Sequence, residues 1–130
     1  MENPKPSIVH VVDNDEAVRD STCILLELHG IEVRTYASAQ EFLLATPEQH
    51  NGCLLLDLHM PAMDGLELLE LLQALRFRLP VVALTGSTDP TLKERAICAG
   101  AVAVLCKPVP QEMLLKSLLR AVVNADFRLP

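Results

Sequence analysis

The chain has no tryptophan, one tyrosine and three phenylalanines among 130 residues, so any core it builds is aliphatic. Its four cysteines, Cys23, Cys53, Cys98 and Cys106, form no Cys-x-x-Cys pair, which excludes the common zinc and dithiol motifs. Three of them lie inside apolar runs or helical patterns and are expected as buried free thiols, a usage that fits a reducing compartment. Basic charge is scarce: 11 Lys and Arg stand against 17 Asp and Glu, a net charge of −6. A domain that grips nucleic acid by its phosphates wants the opposite balance, whereas an acidic one can receive a cation. No apolar run approaches the ~20 residues of a membrane span. Residues 1–7, with Glu2, Pro4 and Pro6, have no signal-peptide core. A cytoplasmic protein is expected, built as one domain and long enough to bury roughly two thirds of its unfolded surface without disulfides.

What the chain does have is a regular alternation of short apolar runs and longer helical patterns. The first run, Ile8 to Val12, ends at Asp13-Asn14-Asp15. Val18, Thr22, Leu25, Leu26 and His29 then recur at helical spacing, with Gly30 as the stop. Ile31 to Tyr36 alternates apolar and polar residues, as a sheet-edge strand does. Ser38 and Glu41 have the spacing of a capping box ahead of a short helix to Ala45. A third strand, about Cys53 to Leu56, precedes a helix after Asp64-Gly65, with Leu66, Leu69 and Leu72 on one face, broadened by Leu68, Leu71 and Leu75. Val81 to Leu84, a helix from about Pro90 to Cys98 closed by Gly100, Ala101 to Cys106, and a last helix over about Gln111 to Val123 complete the series. Five strands alternating with five helices predict a parallel sheet covered on both faces. Strands one, three, four and five are nearly uninterrupted apolar runs and read as buried on both sides. Residues 1–7 and 124–130 read as tails, the latter a C-terminal tail or the start of a linker, around a domain over 8–123.

Polar residues stand where these strands end. Asp13 follows the first, Asp57 the third, Thr85 the fourth and Lys107 the fifth. In a parallel sheet all carboxyl ends share one rim, which is where open α/β sheets bind ligands. Carboxylates gathered without a cation repel and raise one another's pKa. Mg²⁺ relieves this, typically taking one or two carboxylates with waters and phosphate oxygens. Lys107 offers a compact charge for a phosphoryl oxygen, Thr85 can donate to the same group, and Gly86 leaves room beside it. Asp57 as nucleophile would form an aspartyl phosphate. Each residue alone reads as a strand-end turn; four at matching positions in one pattern read as a site.

These residues carry a resemblance. Val12-Asp13-Asn14-Asp15-Glu16, Leu56-Asp57-Leu58-His59-Met60-Pro61-Ala62-Met63-Asp64-Gly65, Leu84-Thr85-Gly86, Ala99-Gly100-Ala101 and Lys107-Pro108 resemble the CheY-like receiver domain of two-component response regulators over about Ile8 to Val123. The resemblance implies a doubly wound, flavodoxin-like (βα)5 sandwich with sheet order 2-1-3-4-5, an order carried over from that architecture. It implies that Asp57 accepts a phosphoryl group from a histidine kinase or phosphotransfer protein, in a signalling role rather than as a turnover enzyme. Mg²⁺ would be held by Asp13, Asp57 and the backbone carbonyl of His59, with Thr85 and Lys107 on the phosphoryl group and a cis peptide at Lys107-Pro108. Partner binding or homodimerisation would use the face of helix four, strand five and helix five.

The chain departs from the family pattern twice. Asn14 stands where a second acid usually ligates the metal, so it can offer only an uncharged carbonyl oxygen, and weakened Mg²⁺ binding is expected. Val104 stands where a switching Tyr or Phe is usual. A small β-branched side chain cannot swing as a ring does, so a muted or different response of the output face is expected. An alternative function is a receiver fold that binds partners without phosphorylation. The Asp13-Asn14-Asp15 segment is also similar to the opening of haloacid-dehalogenase-type phosphatases, but Ala17 breaks that motif and the chain is short for that fold. The last helix carries Met113, Leu114, Leu115, Leu118, Leu119, Val122 and Val123, a stripe broad enough either for core with scattered surface leucines or for a partner surface.

Overall fold

The expected alternation is realised in full. In the computed structural model, residues 8–45 and 52–126 are described; the tail expected at 1–7 and residues 127–130 of the tail expected at 124–130 lie outside them. The order is β1 (Ile8–Val12), α1 (Glu16–Leu28), β2 (Glu32–Tyr36), α2 (Ala39–Leu44), β3 (Gly52–Asp57), α3 (Gly65–Ala74), β4 (Val81–Thr85), α4 (Pro90–Cys98), β5 (Ala101–Cys106) and α5 (Gln111–Asp126). The five strands form one sheet in the order β2-β1-β3-β4-β5, and every neighbouring pair is parallel. α5 runs to Asp126, three residues beyond its expected end, because neither Gly nor Pro interrupts Asn124-Ala125-Asp126.

Side chains alternate across the sheet and sort the core into two layers. Val9, Val11, Cys53, Leu55, Val82 and Leu84 pack with Leu26 of α1 and with Leu114 and Leu118 of α5. Val12, Leu54, Leu56, Val81 and Ala83 pack on the other side with Phe42 of α2, Leu66, Leu68, Leu69 and Leu72 of α3, and Ala96 of α4. All six residues of β3 are buried, and fully burying each of its three leucines contributes about 1.5–3 kcal/mol. β2 is an edge, as its alternating polar pattern requires. β5 is the other edge, which its apolar sequence did not announce: Val102 is 44% exposed, and three others in the strand are half-buried.

Helix starts are chemically marked. The Asp15 side chain caps α1 and the Asp89 side chain caps α4, where Pro90 fills the first turn. At Ser38 the expected capping box is altered: Ser38 Oγ accepts from the Glu41 N–H, but the Glu41 carboxylate reaches the N–H of Ala37. The reciprocal box is at α3, between Asp64 and Glu67. Gly30 and Gly100 end their helices at φ 73° and 107°, a region that costs glycine nothing. α3 ends on Arg76 at φ 57° instead, with the Phe77 N–H returning to the Leu72 carbonyl. That turn leaves Leu75 63% exposed rather than on the apolar face. His29 likewise sits exposed at the C-cap of α1.

The four thiols are free, but only Cys53 is buried and Cys23 is half-buried. Burial pushes the Cys53 thiol up to about 12, so it stays protonated and inert. Cys98 and Cys106 are exposed, Cys98 on the outer side of α4 and Cys106 at the end of an edge strand. Among the described residues, no helix is long and apolar enough to cross a membrane.

Gly65 joins the fold to the strand rim. A Cβ on it would lie 2.1 Å from the Asp57 carbonyl oxygen and 2.6 Å from Leu58 Cα, so α3 starts in direct contact with the strand end that bears Asp57. Gly65→Ala is expected to lower stability by about 1–3 kcal/mol, the range for an overpacked site, and to shift the Asp57 and Leu58 amide resonances. Urea unfolding and an NMR fingerprint check both, and an unchanged midpoint would show that the contact yields freely.

Candidate functional site

Three polar side chains reach one side of the rim, two carried there by the side-chain alternation and the third by a break in it. Val12 pairs with Leu56, so Asp13 and Asp57, each one residue further on, lie level on adjacent strands. Continuing the alternation, Asp13 follows Val9 and Val11, and Asp57 follows Cys53 and Leu55, all on the α1/α5 side of the sheet. Lys107 would fall on the opposite side if β5 were regular. It is not: Val81 pairs with Ala101 while Val82 pairs with Ala103, and this irregularity leaves Val102 out of register. Ala101 packs on the α3 side, whereas Ala103 and Leu105 pack on the α1/α5 side, and Lys107 follows them. A bulge that re-aims a side chain beside a site is a recognised device.

The resulting geometry is compact. Asp13 and Asp57 are buried, at 2% and 4% exposure. Each carboxylate has one oxygen tied to a backbone N–H two residues on, Asp13 Oδ1 to Asp15 and Asp57 Oδ1 to His59, both at 2.9 Å. The other oxygens face Lys107, whose Nζ lies 3.1 Å from Asp57 Oδ2 and 3.7 Å from Asp13 Oδ2. The Lys107 N–H donates to the Thr85 carbonyl at 2.7 Å, fixing the end of β5 against β4, and the Lys107-Pro108 peptide is cis, as expected. Asp13 is further held by its own N–H, donating to the Tyr36 carbonyl, and by Arg19, which donates to its carbonyl at 2.7 Å.

Two carboxylates against one ammonium leave negative charge on a buried surface. Burial raises the Asp13 pKa above its ordinary value, and the charge of Asp57 adds to this. The Asp15 N–H and Lys107 pull it back only in part. A hard dication suits this set of buried oxygens. Asp15 caps α1 through its bond from the Ala17 N–H, and Asn14 stands exposed on the cleft wall. Among the described residues there is no group of three or more His, Cys, Asp and Glu able to hold a metal; the site offers two buried acids, Asp13 and Asp57. The cleft above it measures about 530 Å³ and is lined by Asn14, Asp15, Asp57, His59, Gly86, Ser87 and Lys107.

Thr85 is also at the rim and buried, but it continues the line of Val81 and Ala83, on the α3/α4 side. There its hydroxyl accepts from the Ser87 N–H at 3.0 Å and meets His59 Nε2 at 2.7 Å. The imidazole contact was not foreseen, because spacing alone relates Thr85 and His59 across 26 residues. Val104 is half-buried against the same layer. A cavity of about 250 Å³ is lined by Thr85, Ser87, Pro90, Lys93, Val104 and Cys106 among others.

Comparison with known proteins agrees with this architecture. The response regulator receiver domain family matches residues 9–119. The chain belongs to that family. It is 38% identical over 113 residues to the transcriptional regulatory protein FixJ of Rhizobium meliloti (strain 1021), a match covering 87% of this chain and 55% of that protein. It is 37% identical over 123 residues to the C4-dicarboxylate transport transcriptional regulatory protein DctR of Rhodobacter capsulatus, covering 93% and 62%. Among solved structures, a CheY-like receiver domain protein from Methanospirillum hungatei JF-1 superposes with a TM-score of 0.86 at 31% identity, covering 94% of this chain and 98% of that one. The chain spans about half the length of the curated relatives it matches. It is thus a receiver domain of the two-component response regulator kind; the curated relatives it matches are named as regulatory proteins.

The raised pKa of Asp13 sets a pH dependence. Since the folded value exceeds 3.8, the folded protein binds this proton more tightly than the unfolded chain does. The stability contributed is complete below about 3.8 and is lost as pH rises through the folded value. In chelator, Asp13→Asn should therefore stabilise the protein most at pH 7, with the advantage shrinking toward pH 4. Urea midpoints of both proteins across that range check it, and a pH-independent difference would contradict it.

Proposed function

We propose that this receiver domain accepts a phosphoryl group on Asp57 and that the acceptance governs partner binding. The observation that carries this reading is the buried Asp57 carboxylate with one oxygen anchored by its own loop and the other held 3.1 Å from Lys107 at the edge of an open cleft. The cytoplasmic phosphohistidine of a histidine kinase or phosphotransfer protein is the donor. Asp57 Oδ2 attacks phosphorus, the P–N bond breaks, and the leaving imidazole takes up a proton, giving an acyl phosphate. Phosphoryl transfer asks for little beyond position and charge neutralisation. Lys107 then pairs with a phosphoryl oxygen, Thr85 donates a hydrogen bond to another, and Gly86, with no side chain and nothing near its Cβ position, leaves room. Asp13, Asp57, the His59 backbone carbonyl and the Asn14 side-chain oxygen would hold Mg²⁺, which supplies positive charge against the incoming phosphate.

Partner contact is assigned to the face of α4, β5 and α5, supported by the exposure there of Ile97, Val102, Met113, Leu119 and Val123. With Val104 in place of a ring, the coupling between Thr85 and this face runs through a small side chain beside a cavity, which supports a response of small amplitude. Chromatographic size and the shifts of Ala103 and Val104 in the phosphorylated sample read both.

Incubation with acetyl phosphate and Mg²⁺ is expected to add the mass of one phosphoryl group, and Asp57→Asn to abolish the gain. If the wild type gains nothing while its partners still bind, the domain is instead a phosphorylation-independent interaction module. Asn14→Asp restores a charge to the metal set, and is expected to tighten Mg²⁺ binding several-fold, on the order of 1 kcal/mol for an added charge near a partly exposed ion. A calorimetric titration with unchanged affinity would show that position 14 takes no part.

A further inference from the structure

The reaction proposed above uses only the backbone of His59, yet its side chain is placed. Nε2 lies 2.7 Å from Thr85 Oγ1, a short contact between a ring at the mouth of the cleft and the hydroxyl of a buried threonine. A threonine hydroxyl has one proton and two lone pairs, and one lone pair is already occupied by the Ser87 N–H. If the neutral ring carries its proton on Nδ1, Nε2 accepts the only hydroxyl proton. If the proton is on Nε2, the ring donates and takes the second lone pair. Either way the oxygen is held at the ring, on the side of the sheet facing α3 and α4, while Asp57 and Lys107 occupy the other side.

We propose that the His59 side chain is a positioning residue that clasps the Thr85 hydroxyl in the unphosphorylated protein, so that a phosphoryl group on Asp57 must win the hydroxyl from it. This rests on Asp57 being the acceptor. The clasp opposes switching by the worth of one exchanged hydrogen bond, about 2- to 12-fold in an equilibrium constant. It adds a local restraint on Thr85 in a chain where position 104 provides no ring to hold or follow it.

A double-mutant cycle isolates this pair. Beryllofluoride with Mg²⁺ serves as the phosphoryl mimic, titrated by calorimetry into the full chain as wild type, His59→Ala, Thr85→Ala and the double variant. His59→Ala is expected to bind the mimic about 2- to 12-fold more tightly than wild type, and to have no effect when Thr85 is already Ala. His59→Gln, whose amide can reach the same hydroxyl, should return toward wild-type affinity. In the protein without metal or mimic, His59→Ala should shift the Thr85 methyl resonance. An equal effect of His59→Ala in both Thr85 backgrounds, or an unmoved Thr85 methyl, overturns the proposal and places the ring's influence on the metal loop. Failure of the wild type to bind the mimic overturns the acceptor reading instead, and the Thr85 methyl in the free protein still decides the clasp.

Discussion

The ammonium of Lys107, set between two buried carboxylates, is the interaction on which the rest of the site depends. Asp13 and Asp57 are held on adjacent parallel strands at the same height, both side chains buried, and Asp57 lines an open cleft. Carboxylates so placed need a partner, since an unpaired buried charge is costly. Lys107 meets both, within 3.1 and 3.7 Å, but offers one positive charge to two negative ones. A net negative charge is left on the buried pair, and the proposed binding of a cation and a phosphoryl group draws on that imbalance. Structure and chemistry thus draw on one unbalanced charge pattern.

The rim is divided by the sheet itself. Asp13, Asp57 and Lys107 continue the face packed on α1 and α5, while Thr85 continues the face packed on α3 and α4. The Thr85 hydroxyl is held in that second layer by the Ser87 N–H and the His59 ring. Val104 packs against the same layer and borders a cavity of about 250 Å³ that it shares with Thr85.

Much of this was legible from residue order. The strand–helix alternation, the stops at Gly30 and Gly100, the edge character of β2 and the four strand-end polar residues all arise from local pattern, and the structure keeps them. The misreadings share a cause, which is that apolarity does not say which neighbour exists. β5 reads as a central strand but has no strand beyond it. Leu75 fits the apolar face of α3 until the turn at Arg76 carries it into solvent. Cys98 and Cys106 sit within apolar patterns but on outer surfaces. The Ser38–Glu41 spacing is that of a capping box, yet a flexible carboxylate found the N–H one residue earlier.

The sequence by itself determined the class of fold and which polar groups stand at the strand ends, because side-chain periodicity and turn chemistry are local properties of the chain. Only the tertiary structure decided how those groups face one another. The irregularity at Val102 turns Lys107 to the side of the acids, since a one-residue slip reverses every side chain that follows it. The pairing of His59 with Thr85 joins two loops that share no sequence signal, brought together because β3 and β4 are neighbours in the sheet and their ends lie within one hydrogen bond of each other.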